Sequence, residues 1–173
     1  MNTLHQELVE RIRGEVPDIE RVVQRAIRAW PQAQRPSSEQ DVYIDSVALN
    51  LHGFYTGIER LFELIARHLD RNLPTSETWH RDLLKQMAQD LAEVRPSVIG
   101  KDSALTLDNF RRFRHLVHNV YTMNLVPDKM TDLMSALPGL WPKLRDELLA
   151  FADFLEELGQ ASQNGQNGLP PSQ

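Results

Sequence analysis

The stretch Arg111-Arg112-Phe113-Arg114-His115-Leu116-Val117-His118-Asn119-Val120-Tyr121 gathers three arginines, two histidines and a tyrosine into eleven residues. On a regular helix Arg111, Arg114, His118 and Tyr121 share an arc of roughly 80° at about 100° per residue. Guanidinium groups bring permanent positive charge and forked donors that match phosphate oxygens. An imidazole takes or gives a proton near neutral pH. Such a stripe could hold a phosphate and move a proton beside it. His115 lies at the edge of the stripe and could substitute for His118, and Asn119 could support it. The same residue types also fit a solvated or ion-paired helix face. His118 could equally be satisfied by an acidic side chain, with Glu59 and Glu63 as candidates. Glu59-Arg60 then reads either as an ordinary exposed charge pair or as Glu59 orienting Arg114 or His118, much as outer-shell groups orient metal ligands.

For such a stripe to work, other helices must back it. Phe110, Phe113, Val117 and Val120 repeat on the neighbouring face and call for a core there. Upstream, Leu4, Leu8 and Ile12 lead into Ile19, Val22, Val23, Ala26, Ile27 and Trp30, with a kink or break expected near residue 16 because of Pro17. Pro31 to Ser37 reads as a loop. Ser38 can cap a long second helix whose stripe runs from Tyr43 through Val47, Leu51, Phe54, Ile58, Phe62 and Ile65 to Leu69. Gly53 and Gly57, four residues apart on it, point to close helix packing. A third helix is expected from Pro74-Thr75-Ser76 to about Leu91, a loop from Glu93 to Ser103, and the motif helix from about Leu105 to Tyr121. A short helix starts at Pro127-Asp128, Pro138-Gly139 breaks it, and Trp141 to Leu158 forms the last one. The three tryptophans read as core or interface packing. Residues 159–173 are mostly Gly, Gln, Asn, Ser and Pro, too polar to offset their ordering entropy. The fold expected is an all-α, up-and-down bundle of about five helices over residues 1–158, with a disordered C-terminal tail over 159–173.

The 173 residues can bury a full-sized core without a staple. With no cysteine there is no disulfide, thiolate zinc site or cysteine nucleophile. The N-terminus lacks a signal-peptide pattern, so a cytoplasmic location is expected. No apolar run approaches the about 20 residues of a membrane span, so no membrane association is expected. A net charge of −5 argues against a protein that coats nucleic acid, though not against a local basic site. Phosphate loops, the G-x-S-x-G elbow and H-E-x-x-H are absent, and His5, His52, His68 and His80 do not fall at metal-ligand spacing. Neither a metal nor another cofactor is expected.

Arg112-x5-His118 and Arg111-x6-His118 both meet an R-x(4–6)-H spacing, with Tyr121 just beyond. Together with Phe54-Tyr55-Thr56-Gly57-Ile58-Glu59-Arg60-Leu61-Phe62, Ser76-Glu77-Thr78-Trp79-His80-Arg81-Asp82-Leu83-Leu84 and Leu140-Trp141-Pro142, this stretch resembles the HepT-like group of HEPN domains. The resemblance runs from about Val42 to Leu158. It implies a toxin-type endoribonuclease that works without metal as a homodimer. The RNA 2′-hydroxyl would attack the adjacent phosphorus to leave a 2′,3′-cyclic phosphate. His118 would act as general acid or base, Arg114 and Arg111 would stabilise phosphate charge, and Tyr121 would orient a phosphate or base. In some HepT toxins a nucleotidyltransferase antitoxin places AMP on the tyrosine. Two departures stand out: Tyr121 follows His118 by three residues where the family has two, and Arg112 points about 120° from His118 on a regular helix. Among the arginines the order of expectation is Arg114, then Arg111, then Arg112. The alternative is a non-catalytic HEPN module that binds a nucleotidyltransferase or a nucleotide.

Overall fold

In the computed structural model of the chain, residues 3–120 and 127–166 are described, with side chains over 4–117 and 127–162. They form five α-helices and one 3-10 turn: α1 (Thr3–Ala33), α2 (Gln40–His68), α3 (Trp79–Met87), α4 (Lys101–Val120), the turn Pro127–Lys129, and α5 (Thr131–Gln166). The architecture is an all-α bundle, as the apolar spacing predicts. No helix among the described residues is long and apolar enough to cross a membrane.

α2 is the central element and touches α1, α3 and α4. Its stripe from Ile44 to Ala66 is buried, as are Tyr55 and Glu59 within it. Gly57 lets α1 approach closely: a Cβ there would stand 3.1 Å from Cγ1 of Ile19. The glycine pair therefore serves helix packing. On the other side Phe54 meets Phe110 edge-on at 5.2 Å and Trp141 at 6.1 Å, tying α2 to α4 and α5. Each such aromatic pair adds about 0.5–1.5 kcal/mol beyond area burial. Trp141 also donates its indole N–H to Glu20 on α1. α1 runs antiparallel to α5, with Arg13 bridging Asp153 at 2.7 Å and Glu156 at 2.8 Å.

The structure corrects several boundaries. α1 continues through Pro17 and Pro31 without a break. An interior proline costs about 3 kcal/mol. Nine buried side chains from Leu8 to Ala33 anchor this helix, and a buried Val, Leu or Ile contributes about 1.5–3 kcal/mol. The same balance carries α5 through Pro138 and Pro142, where Leu137, Leu140, Trp141 and Leu144 are buried on either side. The short helix and the last helix are therefore one. α3 is shorter than expected, because the chain leaves it at Ala88 to bring Arg95 back against Asp70. Finally, helix persists over 159–166, where a disordered tail was expected to begin. Gly159 is buried near His5 and Val9 on the first turns of α1, so a neighbour supports the added turns. The rest of the expected tail, 167–173, lies outside the described residues.

Two devices set the helices that carry the candidate site. At the start of α4, one turn earlier than expected, Glu147 on α5 accepts the Gly100 backbone N–H at 3.1 Å. A carboxylate there satisfies an orphan donor and favours the positive end of the helix. At the start of α3, Asp82 accepts from Ser76 Oγ at 2.8 Å and Thr78 Oγ1 at 2.9 Å. This turn places Trp79 and His80 at the first two helical positions.

Candidate functional site

Where α2, α3 and α4 meet, Glu59, His80 and Arg114 come together. Glu59 is buried at 3% exposure, whereas Arg60 beside it is exposed. The two are therefore not an ordinary surface pair. A carboxylate buried this deeply must be compensated by partners. Its Oε2 lies 2.8 Å from Nδ1 of His80 and its Oε1 lies 3.4 Å from Nη1 of Arg114. Nη1 of Arg114 also lies 3.4 Å from Nδ1 of His80. Arginine only donates, and the shorter contact assigns a hydrogen on Nδ1 donating to Glu59. Arg114 then packs beside the pair and is bound mainly through the carboxylate.

The surroundings make this cluster stiff on one side and open on the other. The ring of Trp79 stacks on His80 with centroids 3.6 Å apart and an interplanar angle of 28°. Trp79 therefore packs on a candidate functional ring, while Trp141 lies in the core. Tyr55, one turn before Glu59 on α2, is fully buried. Burial pushes its hydroxyl well above the ordinary phenol range. Glu59 pushes the same way, while Arg111 and Arg114 pull it down. The phenol therefore stays protonated as a donor beside the carboxylate. His80 keeps 31% and Arg114 27% of their side chains exposed. Nε of Arg114 is buried with no hydrogen-bond partner among the described residues.

The remaining predicted residues fall in different places. Arg111 lies near enough for its charge to act on Tyr55 and is held by Asp108, whose Oδ1 lies 2.7 Å from its Nε. Arg112 pairs with the other oxygen of Asp108 at 2.8 Å but is 71% exposed, on the side of α4 facing Arg81 and Lys85. Burial alone would push the Asp108 carboxyl up. The hydrogen bond and charge of Arg111, with Arg112 behind it, outweigh burial and hold it below the ordinary value. His115 is exposed. The backbone of His118 and Asn119 is helical, which puts position 118 one turn beyond Arg114 on the same face. Their side chains, and all of Tyr121, lie outside the described residues.

Sequence reasoning missed His80, Tyr55 and Asp108 as members of this neighbourhood. The signal for His80 was present in Ser76-Glu77-Thr78-Trp79-His80, but its partner is 21 residues away and no spacing rule links them. Asp108 was legible in principle, since positions 108, 111 and 112 are i, i+3 and i+4 on one helix. Arg114 and Glu59 were named from the sequence, and the structure brings them together.

As built, the site presents a cation and an imidazole on a buried carboxylate, partly open to solvent. It can bind an anion and transfer a proton beside it. No curated protein and no solved structure matches the chain. A family model described as HepT-like protein matches residues 46–155, more than half of the chain, and includes Tyr55, Glu59, His80, Arg111 and Arg114. The chain belongs to the HepT-like family.

Proposed function

We propose that the protein is a metal-independent endoribonuclease of the toxin type. It cleaves RNA by attack of a 2′-hydroxyl on the neighbouring phosphorus. The observation that carries this reading is Arg114, fixed by buried Glu59 beside His80 with part of each side chain open to solvent. A phosphodiester passing through that opening would meet a preorganised cation where charge builds on its oxygens. Arg111 adds a second cation one turn earlier, and Arg112 contributes at long range. His118, one turn after Arg114, transfers a proton. Tyr121 orients a phosphate or a base, His115 can substitute for His118, and Asn119 supports the site. The working form is a homodimer in which two such α4 stripes face one cleft. The partner that restrains it is a nucleotidyltransferase antitoxin, and the setting is the cytoplasm.

The test is cleavage of total cellular RNA by purified wild type and His118→Ala with EDTA present. Discrete fragments with cyclic-phosphate ends are expected from wild type. His118→Ala should be slower by about 10²–10⁴-fold, the usual contribution of one acid–base group. Intact RNA from a folded wild-type sample would overturn the ribonuclease reading and leave a module that binds a nucleotidyltransferase or nucleotide.

A further inference from the structure

Cleavage by an internal hydroxyl needs two proton transfers. A base must take the 2′-O–H proton as the 2′-O–P bond forms. An acid must protonate the 5′ oxygen as the P–O5′ bond breaks. A single His118 can stand at only one end of that line in a given turnover, so the other end falls to the second copy in the cleft or to another group of the same protomer. Resting on the ribonuclease reading, we propose that His80 is the general base, receiving the 2′-hydroxyl proton at Nε2, while His118 protonates the departing 5′ oxygen.

Three observations carry this assignment. The 2.8 Å contact between Nδ1 and Oε2 of Glu59 fixes the tautomer. In the neutral ring a hydrogen on Nδ1 leaves the lone pair on Nε2, the atom that then takes a proton. This is the logic of a buried carboxylate holding a catalytic imidazole, where the acid orients the ring and compensates the imidazolium that forms. Next, the ring has little freedom to turn. It is stacked on Trp79 and sits in the first turn of α3, which Ser76, Thr78 and Asp82 lock in place. Last, Nη1 of Arg114 lies 3.4 Å from Nδ1 of the same ring, which puts the phosphate cation beside the imidazole whose Nε2 is the proposed base. Base and phosphate cation therefore come from one protomer and share one carboxylate.

The step balances without a further reactant. The 2′-O–H proton passes to Nε2 of His80, the 2′ oxygen bonds to phosphorus, and the 5′ oxygen leaves with a proton from the His118 imidazolium. The products are a 2′,3′-cyclic phosphate and a 5′-hydroxyl end. Proton exchange with water resets both rings.

The test uses the full chain with a mixed-sequence fluorogenic oligoribonucleotide in EDTA, comparing wild type, His80→Asn and His80→Ala. Asparagine can place an amide donor near the position of Nδ1–H and so keep the bond to Glu59, but it has no basic nitrogen. We expect His80→Asn to melt with wild type and to bind a 2′-deoxy version of the oligonucleotide equally well. Its kcat should fall about 10²–10⁴-fold. The limb of the pH–rate profile that rises with pH should disappear, and added imidazole should restore part of the rate. A His80→Asn protein that keeps kcat within a few-fold, or that loses rate with an unchanged pH profile, overturns the assignment even if His80→Ala fails to fold. No cleavage by wild type removes the ribonuclease reading itself. Cleavage that His118→Ala abolishes and His80→Asn spares removes only the role of His80.

Discussion

Two acid–base clusters hang from the C-terminal half of α2, and they are built to opposite specifications. Asp70, just past the end of the helix, pairs with Arg95 through two bonds of 2.6 and 2.7 Å, and both side chains are fully buried. Arg95 also donates to the carbonyls of Gln86, Gln89 and Pro96, while Gln86 donates to Asp70 at 2.6 Å. Every donor nitrogen of that guanidinium is used. Three turns earlier, Glu59 is just as deeply buried, but its partners His80 and Arg114 are only partly so, and Arg114 reaches it at 3.4 Å. A saturated pair has nothing left to offer a ligand and serves to fix the chain. A cluster whose arginine and imidazole stay partly exposed remains accessible to a ligand, at some cost in stability. Both contain a buried carboxylate and an arginine, so burial of charge does not by itself mark a functional site. The two clusters differ in how far the partners of the carboxylate reach solvent.

Breaking the saturated pair should have the largest effect. Arg95→Ala leaves Asp70 buried and unpaired, which typically costs about 3–5 kcal/mol. Urea unfolding monitored by circular dichroism should show that loss. The double change Asp70→Leu with Arg95→Met should recover most of it, because an apolar pair of similar volume needs no compensation. A single variant within about 1 kcal/mol of wild type would mean that the pair does not anchor the 88–100 segment. The open cluster should respond the other way round. In the ribonuclease reading, Glu59→Gln removes the charge that holds both His80 and Arg114, and turnover should fall on the order of 100-fold, about 2.7 kcal/mol of barrier. Its unfolding free energy should change by less than that of Arg95→Ala. Equal destabilisation by both substitutions would erase the distinction between the two clusters.

What could be read from the sequence follows the range of the interaction. Helix positions and the inward faces of α2, α4 and α5 follow from local periodicity; the stripe to Leu69 and the buried Phe110, Phe113 and Val117 appear where expected, while the side chain of Val120 lies outside the described residues. Boundaries failed at Pro17, Pro31, Pro138 and Gly159, where burial against another helix outweighs a local breaker. At the site, Arg114 and Glu59 could be named because each stands on a regular helix next to a recognisable pattern. His80 could not, because its bond to Glu59 depends on how the 69–78 connection returns α3 to α2. The Asp70–Arg95 pair was invisible for the same reason: its two residues lie in irregular segments, and Arg95 looks like any other loop arginine.

The smallest effect should come from Asp108, which lies between the two extremes: paired with two arginines, yet only partly buried. The local pair on α4 gains little from either arginine in a solvated setting, so Asp108→Asn should cost no more than about 1 kcal/mol. Its pH dependence is the sharper test. The folded carboxyl is held below its ordinary value of 3.8 by Arg111 and Arg112 against the opposing push of burial. A depressed carboxyl binds fewer protons folded than unfolded, so its contribution is fully present above that ordinary value and fades as pH falls through the folded value. Wild type and Asp108→Asn should therefore differ by a constant amount from neutral pH down to about pH 5 and converge in acid below pH 4. A difference that persists unchanged into strong acid would mean that Asp108 acts through packing or helix geometry. Arg111 would then be positioned by something other than this carboxylate.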